Sequence, residues 1–176
     1  MRSILFLAFL IAQHSFSQQI SSFTGSIIKS TDAQKFLDHH NKVRAEVGVD
    51  KLAWNTKLAA YAQSWAQHLA DSKRCKLIHS TCIDNAGNFL GENLFWGSDA
   101  NFFSALDASK SWYEEKKDYH YEPFGDSKQN GVGHYIQMVW KNTKEVGVGI
   151  AHCKDGGIII VASYSPAGNY VGEMPY

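Results

Sequence analysis

The chain has 176 residues, with 17 Lys plus Arg against 17 Asp plus Glu and a formal charge of zero at pH 7. That balance argues against broad electrostatic capture of nucleic acid, which needs a basic surface. The length suits one domain with its own hydrophobic core.

The opening stretch MRSILFLAFLIAQHSFSQQ reads as a signal peptide over residues 1–17. Arg2 supplies a positive n-region, Ile4 to Ala12 an apolar core, and Ser15-Phe16-Ser17 a small-x-small cleavage site before Gln18. The apolar core is too short to span a bilayer, and no second long apolar run follows it. The expectation is an exported chain, secreted or periplasmic, with no transmembrane anchor. Residues 18–28 form a polar leader, and the remainder, 29–176, shows no linker, internal repeat or low-complexity segment.

DAQKFLDHHNKVRAEVG predicts the first helix. Phe36, Leu37, His40, Val43 and Val47 recur at helical spacing, with Asp32 as the expected cap and Gly48 as the stop. Asn55 is placed to cap a second helix, TKLAAYAQSWAQHLADSK, whose apolar stripe is Leu58, Tyr61, Ala62, Trp65 and Leu69. From Cys75 to Gly97 the period breaks into a Gly/Asn-rich stretch carrying His79 and GENLFWG. A third helix is expected over roughly Ala100 to Lys117, and YEPFGDSKQNGVG is a loop rich in turn formers. YIQMVW then alternates as a strand would. VGVGIAHC and GGIIIVASY pair through a turn at Lys154 to Gly157. Helices packed with an antiparallel sheet define an α+β fold.

Four side chains stand out chemically. If GHYIQMVW is a strand, His134 ends an apolar stripe with Ile136, Met138 and Trp140, where an imidazole serves as ligand, base or satisfied structural group. In SWYEEKKDY, Glu115 lies three residues after Trp112 and shares its helical face, so Glu115 points inward and Glu114 to water. Glu92, between Gly91 and Asn93, reads equally as a backbone clamp or a site ligand, and the Asn93 amide suits bridging of loop backbone. His79 has no decisive local pattern. Two histidines and two carboxylates suit zinc, copper or another divalent ion, but positions 79, 92, 115 and 134 carry no diagnostic spacing. H-E-x-x-H, G-x-S-x-G, P-loop and dinucleotide motifs are absent from the sequence. Of three cysteines, Cys75 and Cys82 close a short loop and are the favoured disulfide, which leaves Cys153 buried, free or intermolecular.

HNKVR (His40 to Arg44), GENL (Gly91 to Leu94), GHYIQMVW (Gly133 to Trp140) and ASYSPAGNYVGE (Ala162 to Glu173) occur in one order. In these motifs the chain resembles the CAP superfamily of cysteine-rich secretory proteins, venom antigens and plant pathogenesis-related proteins, also called the SCP-like extracellular domain. The resemblance extends from about Lys29 to Tyr176. It implies a three-layer α-β-α sandwich with a central antiparallel sheet. It also implies a central cavity in which His79, Glu92, Glu115 and His134 are the candidate ligands of Zn2+ or another divalent cation. Asn41, Arg44, Asn93, Tyr164 and Asn169 are then residues that hold the structural motifs together.

The resemblance further implies a binding or effector role towards a sterol, a fatty acid or an extracellular protein, with Phe102 and Phe103 as candidate lipid contacts or simple helix-start packing. The enzymatic alternative is a divalent-metal-dependent, protease-like hydrolase, in which Glu92 or Glu115 activates water while His79 and His134 hold the metal or move protons. The chain departs from the family pattern in three places. Ala162 and Val148 stand where cysteines are frequent, Ile136 replaces a smaller residue, and Cys82 lies in an enlarged segment between His79 and Glu92.

Overall fold

The computed structural model describes residues 24–125 and 131–176. The signal peptide expected at 1–17, and the leader as far as residue 23, lie outside the described residues. So do residues 126–130 of the expected loop.

The first two helices form where the periodicity places them. Helix α1 spans Ser30–Glu46 and α2 spans Thr56–Ser72. The Asn55 side chain accepts from the backbone N–H of Lys57 and Leu58, which satisfies two of the amides that a helix start leaves unpaired. Asp32 does not cap α1. The cap position is Lys29, and Asp32 sits in the first turn against Lys35 at 3.3 Å. Gly48 follows the end of α1 at φ 74°, a conformation that glycine adopts without a Cβ penalty.

Between these helices lies β1, Ala53–Trp54. GENLFWG forms β2, Gly91–Gly97, and the expected hairpin is β3, Glu145–His152, with β4, Ile158–Ser165. The sheet order is β1-β3-β4-β2. Its three long strands are antiparallel, while β1 adds a short parallel pair, Ala53 with Glu145 and Trp54 with Val146. The sheet is therefore mixed rather than wholly antiparallel. Past the end of β1, Gln63 covers the β3 edge by accepting from the Ile150 N–H at 3.2 Å and donating to its carbonyl at 2.7 Å.

Alternation along the strands divides the core into two layers. Val146, Val148, Ile158, Ile160, Ala162 and Tyr164 pack with residues of α1, α3 and α4 on one face. Ala151, Ile159 and Val161 pack under α2 on the other. Helix α2 reaches the sheet with small residues, Ala59, Ala62 and Ala66, all fully buried. Gly147 and Gly149 answer them. A Cβ on Gly149 would stand 2.1 Å from the Gln63 backbone nitrogen, and one on Gly147 would stand 2.1 Å from that of Ala59. The close approach of α2 to β3 thus requires both glycines.

The third helix is shorter than the periodicity suggested. Ser104 and Asp107 make a reciprocal capping box that starts α3 at Ala105, and it ends at Glu114, where a 3-10 turn runs from Glu115 to Asp118. The expected YIQMVW strand is instead helix α4, Gly133–Val139. Tyr135 to Val139 are all buried, the polar Gln137 among them, so this short helix shows no solvent face, and the polar residue in mid-run mimics the alternation of a strand.

The expected Cys75–Cys82 disulfide does not form. Cys75 bonds Cys153 with a Cα separation of 6.0 Å, and Cys82 is a free thiol. Arg74 and Cys75 both take left-handed backbone conformations, and the Cys75 N–H returns to the Leu69 carbonyl. That turn puts Cys75 in the α2 layer of the core beside Cys153, while the chain runs on to carry Cys82 elsewhere.

A buried polar chain connects α1 to the sheet. His40 is fully buried, and burial lowers its pKa to about 3, with the charge of neighbouring His39 acting in the same direction. The neutral ring donates from Nδ1 to the Phe36 carbonyl at 3.2 Å, which leaves Nε2 to accept from the Tyr164 hydroxyl at 2.9 Å.

Gly149→Ala should destabilise the fold by about 3 kcal/mol, the upper part of the usual cost of overpacking, read as a lowered denaturant midpoint. His40 stays neutral when folded but takes a proton near pH 6.5 when unfolded. Its contribution is therefore complete above about pH 6.5 and lost progressively as pH falls from there towards about 3, at roughly 1.4 kcal/mol per pH unit. Denaturant titrations across that window should lose this component of the slope in His40→Gln.

Candidate functional site

The site lies at the free edge of β2, where neighbouring side chains point to opposite faces of the sheet. Glu92 shares a face with Leu94 of the α2 layer, and Asn93 faces α4. Gly91 leaves room for the Gln137 side chain, since a Cβ on it would stand 2.1 Å from Gln137 Oε1 and would displace that amide.

On the α2 side, Glu92 meets the loop that follows the helix. Its Oε1 lies 2.8 Å from Nδ1 of His79 and accepts from the Ser80 N–H at 2.9 Å. The Glu92 side chain is 1% exposed and that of His79 59% exposed, so a buried carboxylate holds a solvent-facing imidazole. This hydrogen bond raises the His79 pKa above the ordinary histidine value, against the lowering effect of burial. The second carboxylate oxygen, Oε2, is buried and has no hydrogen-bond partner among the described residues.

On the other side, Glu115 meets the start of α4. Its Oε2 accepts from the backbone N–H of His134 at 3.0 Å and of Tyr135 at 3.1 Å, and its Oε1 lies 2.6 Å from Nδ1 of His134. The carboxylate thus does from a distance what a cap residue does locally, and adds favourable charge at a helix N-terminus. The His134 ring stacks on Trp112 with centroids 5.9 Å apart, and the Trp112 indole donates to the Leu94 carbonyl. Glu114 is exposed, as the face shared by Trp112 and Glu115 implies.

All four residues line one cavity of about 470 Å3. Both imidazoles engage a carboxylate through Nδ1, so Nε2 is the nitrogen each has left to offer a ligand. The donor set suits a borderline cation such as zinc, and the orphaned, buried Glu92 oxygen is the kind of group that such an ion satisfies. A larger groove of about 1020 Å3 lies between α2 and residues 80–88, lined in part by Tyr61, Trp65 and Ile83. It contains none of the four, so the chemistry directs attention to the smaller cavity.

The motif residues frame this cavity. Asn41 brackets Leu52, accepting from its N–H at 2.7 Å and donating to its carbonyl at 3.1 Å. Buried Arg44 donates to the carbonyls of Asp50, Met138, Trp140 and Thr143. Asn93 donates to the His134 carbonyl at 3.1 Å and to the Tyr164 hydroxyl at 3.3 Å. Asn169, at φ 57°, donates to the Gly133 carbonyl at 2.9 Å.

Three lining residues escaped the sequence reading. A strand would turn Gln137 away from His134, whereas the helix brings both to the cavity. Gly168 approaches the Gln137 side chain, to which its N–H donates. Cys82 had been assigned to a disulfide. Among the described residues, the ligand atoms that all lie within 4.8 Å of one another belong to His79, Cys82 and Glu92, while Glu115 and His134 line the same cavity outside that cluster. Phe102, the outer half of the aromatic pair, is 79% exposed, whereas Phe103 packs against Phe95 at 5.7 Å.

The profile of CAP, the cysteine-rich secretory protein family, matches residues 37–164. The chain is 39% identical over 170 residues to pathogenesis-related protein 1C of Nicotiana tabacum, covering 97% of this chain and 89% of that one. It is 42% identical over 144 residues to pathogenesis-related protein 1 of Arabidopsis thaliana, covering 81% of each. Among solved structures it is similar to NaASP2 with Zn2+, at a TM-score of 0.72 and 29% identity over 85% of this chain and 86% of that one. The chain belongs to the CAP, or cysteine-rich secretory protein, family. No described helix is long and apolar enough to cross a membrane.

Glu115→Ala should cost about 2 kcal/mol of stability, because it orphans two amides at the start of α4. Glu115→Gln keeps an acceptor and should recover part of the loss. Urea unfolding of the two variants measures the difference.

Proposed function

We propose that the protein is an exported binding or effector module whose sheet-edge cavity takes a divalent cation, Zn2+ being the best match to the donors. His79 and His134 supply nitrogen ligands. Glu92 and Glu115 fix the ring tautomers through Nδ1, so that each Nε2 keeps its lone pair for the ion. The observation that carries this reading is the repetition of one device, a carboxylate on Nδ1 of an imidazole, on two sides of a single cavity. The similar NaASP2 structure was solved with Zn2+, which supports the same choice of ion.

Export rests on the N-terminal segment, with cleavage after Ser17 releasing residues 18–176, a short leader followed by the CAP domain over 29–176. For partners, we propose a lipid such as a sterol or fatty acid, or an extracellular protein. A separate hollow of about 430 Å3 supports the lipid option. It is lined by Ile27, Ile28, Phe102, Phe103, Ile150 and Ile158 among others, and the exposed Phe102 stands beside it.

Calorimetric titration of the chelator-stripped protein with Zn2+ tests the cation site. The wild type should take up the ion stoichiometrically, and a folded His79→Ala/His134→Ala variant should lose at least about 100-fold in affinity. Uptake unchanged in that variant would place the ion elsewhere and overturn the reading.

A further inference from the structure

The enlarged segment between His79 and Glu92 brings a third kind of donor to the cavity. Cys82 is the one cysteine outside the disulfide, and its half-buried thiol lines the cavity with His79 and Glu92. Its backbone is fixed on both sides: the Cys82 N–H donates to Ser80 Oγ at 2.9 Å, and its carbonyl accepts from the Leu90 N–H at 2.8 Å. Ser80 in turn donates its own N–H to Glu92 Oε1, so thiol, imidazole and carboxylate belong to one bonded unit.

The ligand atoms of His79, Cys82 and Glu92 lie within 4.8 Å of one another. In a tetrahedral zinc site, bond lengths of about 2.0–2.3 Å put neighbouring donors roughly 3.3–3.8 Å apart. The set therefore has to draw in by about an ångström, a movement within reach of side-chain rotations and of an exposed imidazole. Glu92 supplies a second observation: its Oε2 is buried, the side chain is 1% exposed, and Oε2 makes no hydrogen bond among the described residues, while the carboxylate lies close enough to Cys82 to act on its thiol.

We infer that Cys82 is a metal ligand, and that the cation sits on the loop side of the cavity, held by His79, Cys82 and Glu92 once the hydrogen bond between His79 Nδ1 and Glu92 Oε1 opens and both groups turn to the ion. This inference rests on the reading of the cavity as a divalent-cation site, and it specifies which cations. One nitrogen, one sulfur and one oxygen donor favour zinc and its softer congener cadmium over magnesium and calcium, which take oxygen. On binding, the thiol proton leaves to solvent and the sulfur donates its pair to the ion, with no change of oxidation state. Three protein ligands leave a fourth tetrahedral position facing the cavity.

The test uses the intact, disulfide-bonded protein, stripped with chelator and titrated with Cd2+ while the thiolate-to-cadmium charge-transfer absorption is recorded. Because Cys75 and Cys153 are joined, Cys82 is the sole source of such a band. The wild type should develop it to saturation at one Cd2+ per chain. Folded Cys82→Ser should lose it and bind Cd2+ at least about 10-fold more weakly, and Cys82→Ala should behave alike. Cd2+ uptake by the wild type without the band, or equal affinity in the variants, would overturn Cys82 as a ligand and leave the His/Glu cation site standing. No uptake of either Cd2+ or Zn2+ by the wild type would overturn both.

Discussion

A single buried guanidinium holds the two halves of the molecule in register. Arg44 leaves the last turn of α1 and donates to four backbone carbonyls, those of Asp50, Met138, Trp140 and Thr143. Two of these belong to the end of α4 and its exit, where a helix leaves its last carbonyls without partners. Burial lowers the Arg44 pKa only to about 10, so the group remains charged at neutral pH and its hydrogen bonds are charge-assisted. An apolar replacement would remove four hydrogen bonds at once, with the Trp140 carbonyl keeping the Thr143 N–H. Fixing the C-terminal end of so short a helix also fixes its N-terminal end, and that is where His134 meets Glu115.

The other half of the site depends on an elementary property of strands. At the β2 edge, Glu92 and Asn93 are adjacent and so serve opposite faces. Glu92 takes His79 from the loop side, while Asn93 takes the His134 carbonyl from the helix side and passes a second hydrogen bond to Tyr164. Tyr164 continues to His40 and thence to the Phe36 carbonyl. The polar chain therefore runs from the cavity through the buried layer into α1. Every member is neutral or backbone, so it imposes geometry on the cavity without burying an unpaired charge.

What was legible in the sequence was what is local and half-exposed. Helices α1 and α2 show clean periods because each has one wet side, whereas the β3–β4 hairpin, buried on both faces, is marked by its β-branched residues; Asn55 and the Lys154–Gly157 turn mark boundaries by local chemistry. Glu115 was separable from Glu114 because the three-residue step from Trp112 survives the passage from α3 into a 3-10 turn. Helix α4 was misread for the converse reason: five successive buried residues erase the period that tells helix from strand. The disulfide was misread because Cys75 and Cys153, 78 residues apart, are joined by the packing of α2 on β3, while the nearer partner is drawn off by the loop. His79 had no signal of its own. Its place is set by Glu92, 13 residues along the chain, through a contact that no local pattern announces.

The two pairs that share the cavity are built to unequal tolerance. His134 and Glu115 stand on a helix and its neighbour, stacked on a buried tryptophan and bonded to backbone amides, so a shift in either disturbs the core. His79 stands on a loop between two fixed points, the Cys75–Cys153 disulfide and the start of β2, and its ring is largely in solvent. Lengthening such a loop costs little, since closure entropy grows only with the logarithm of its length. Cys82 falls in this tolerant span, after His79 and before Glu92. Change on the loop side of the cavity therefore costs the fold less than change on the helix side, where the core holds the His134 imidazole in place.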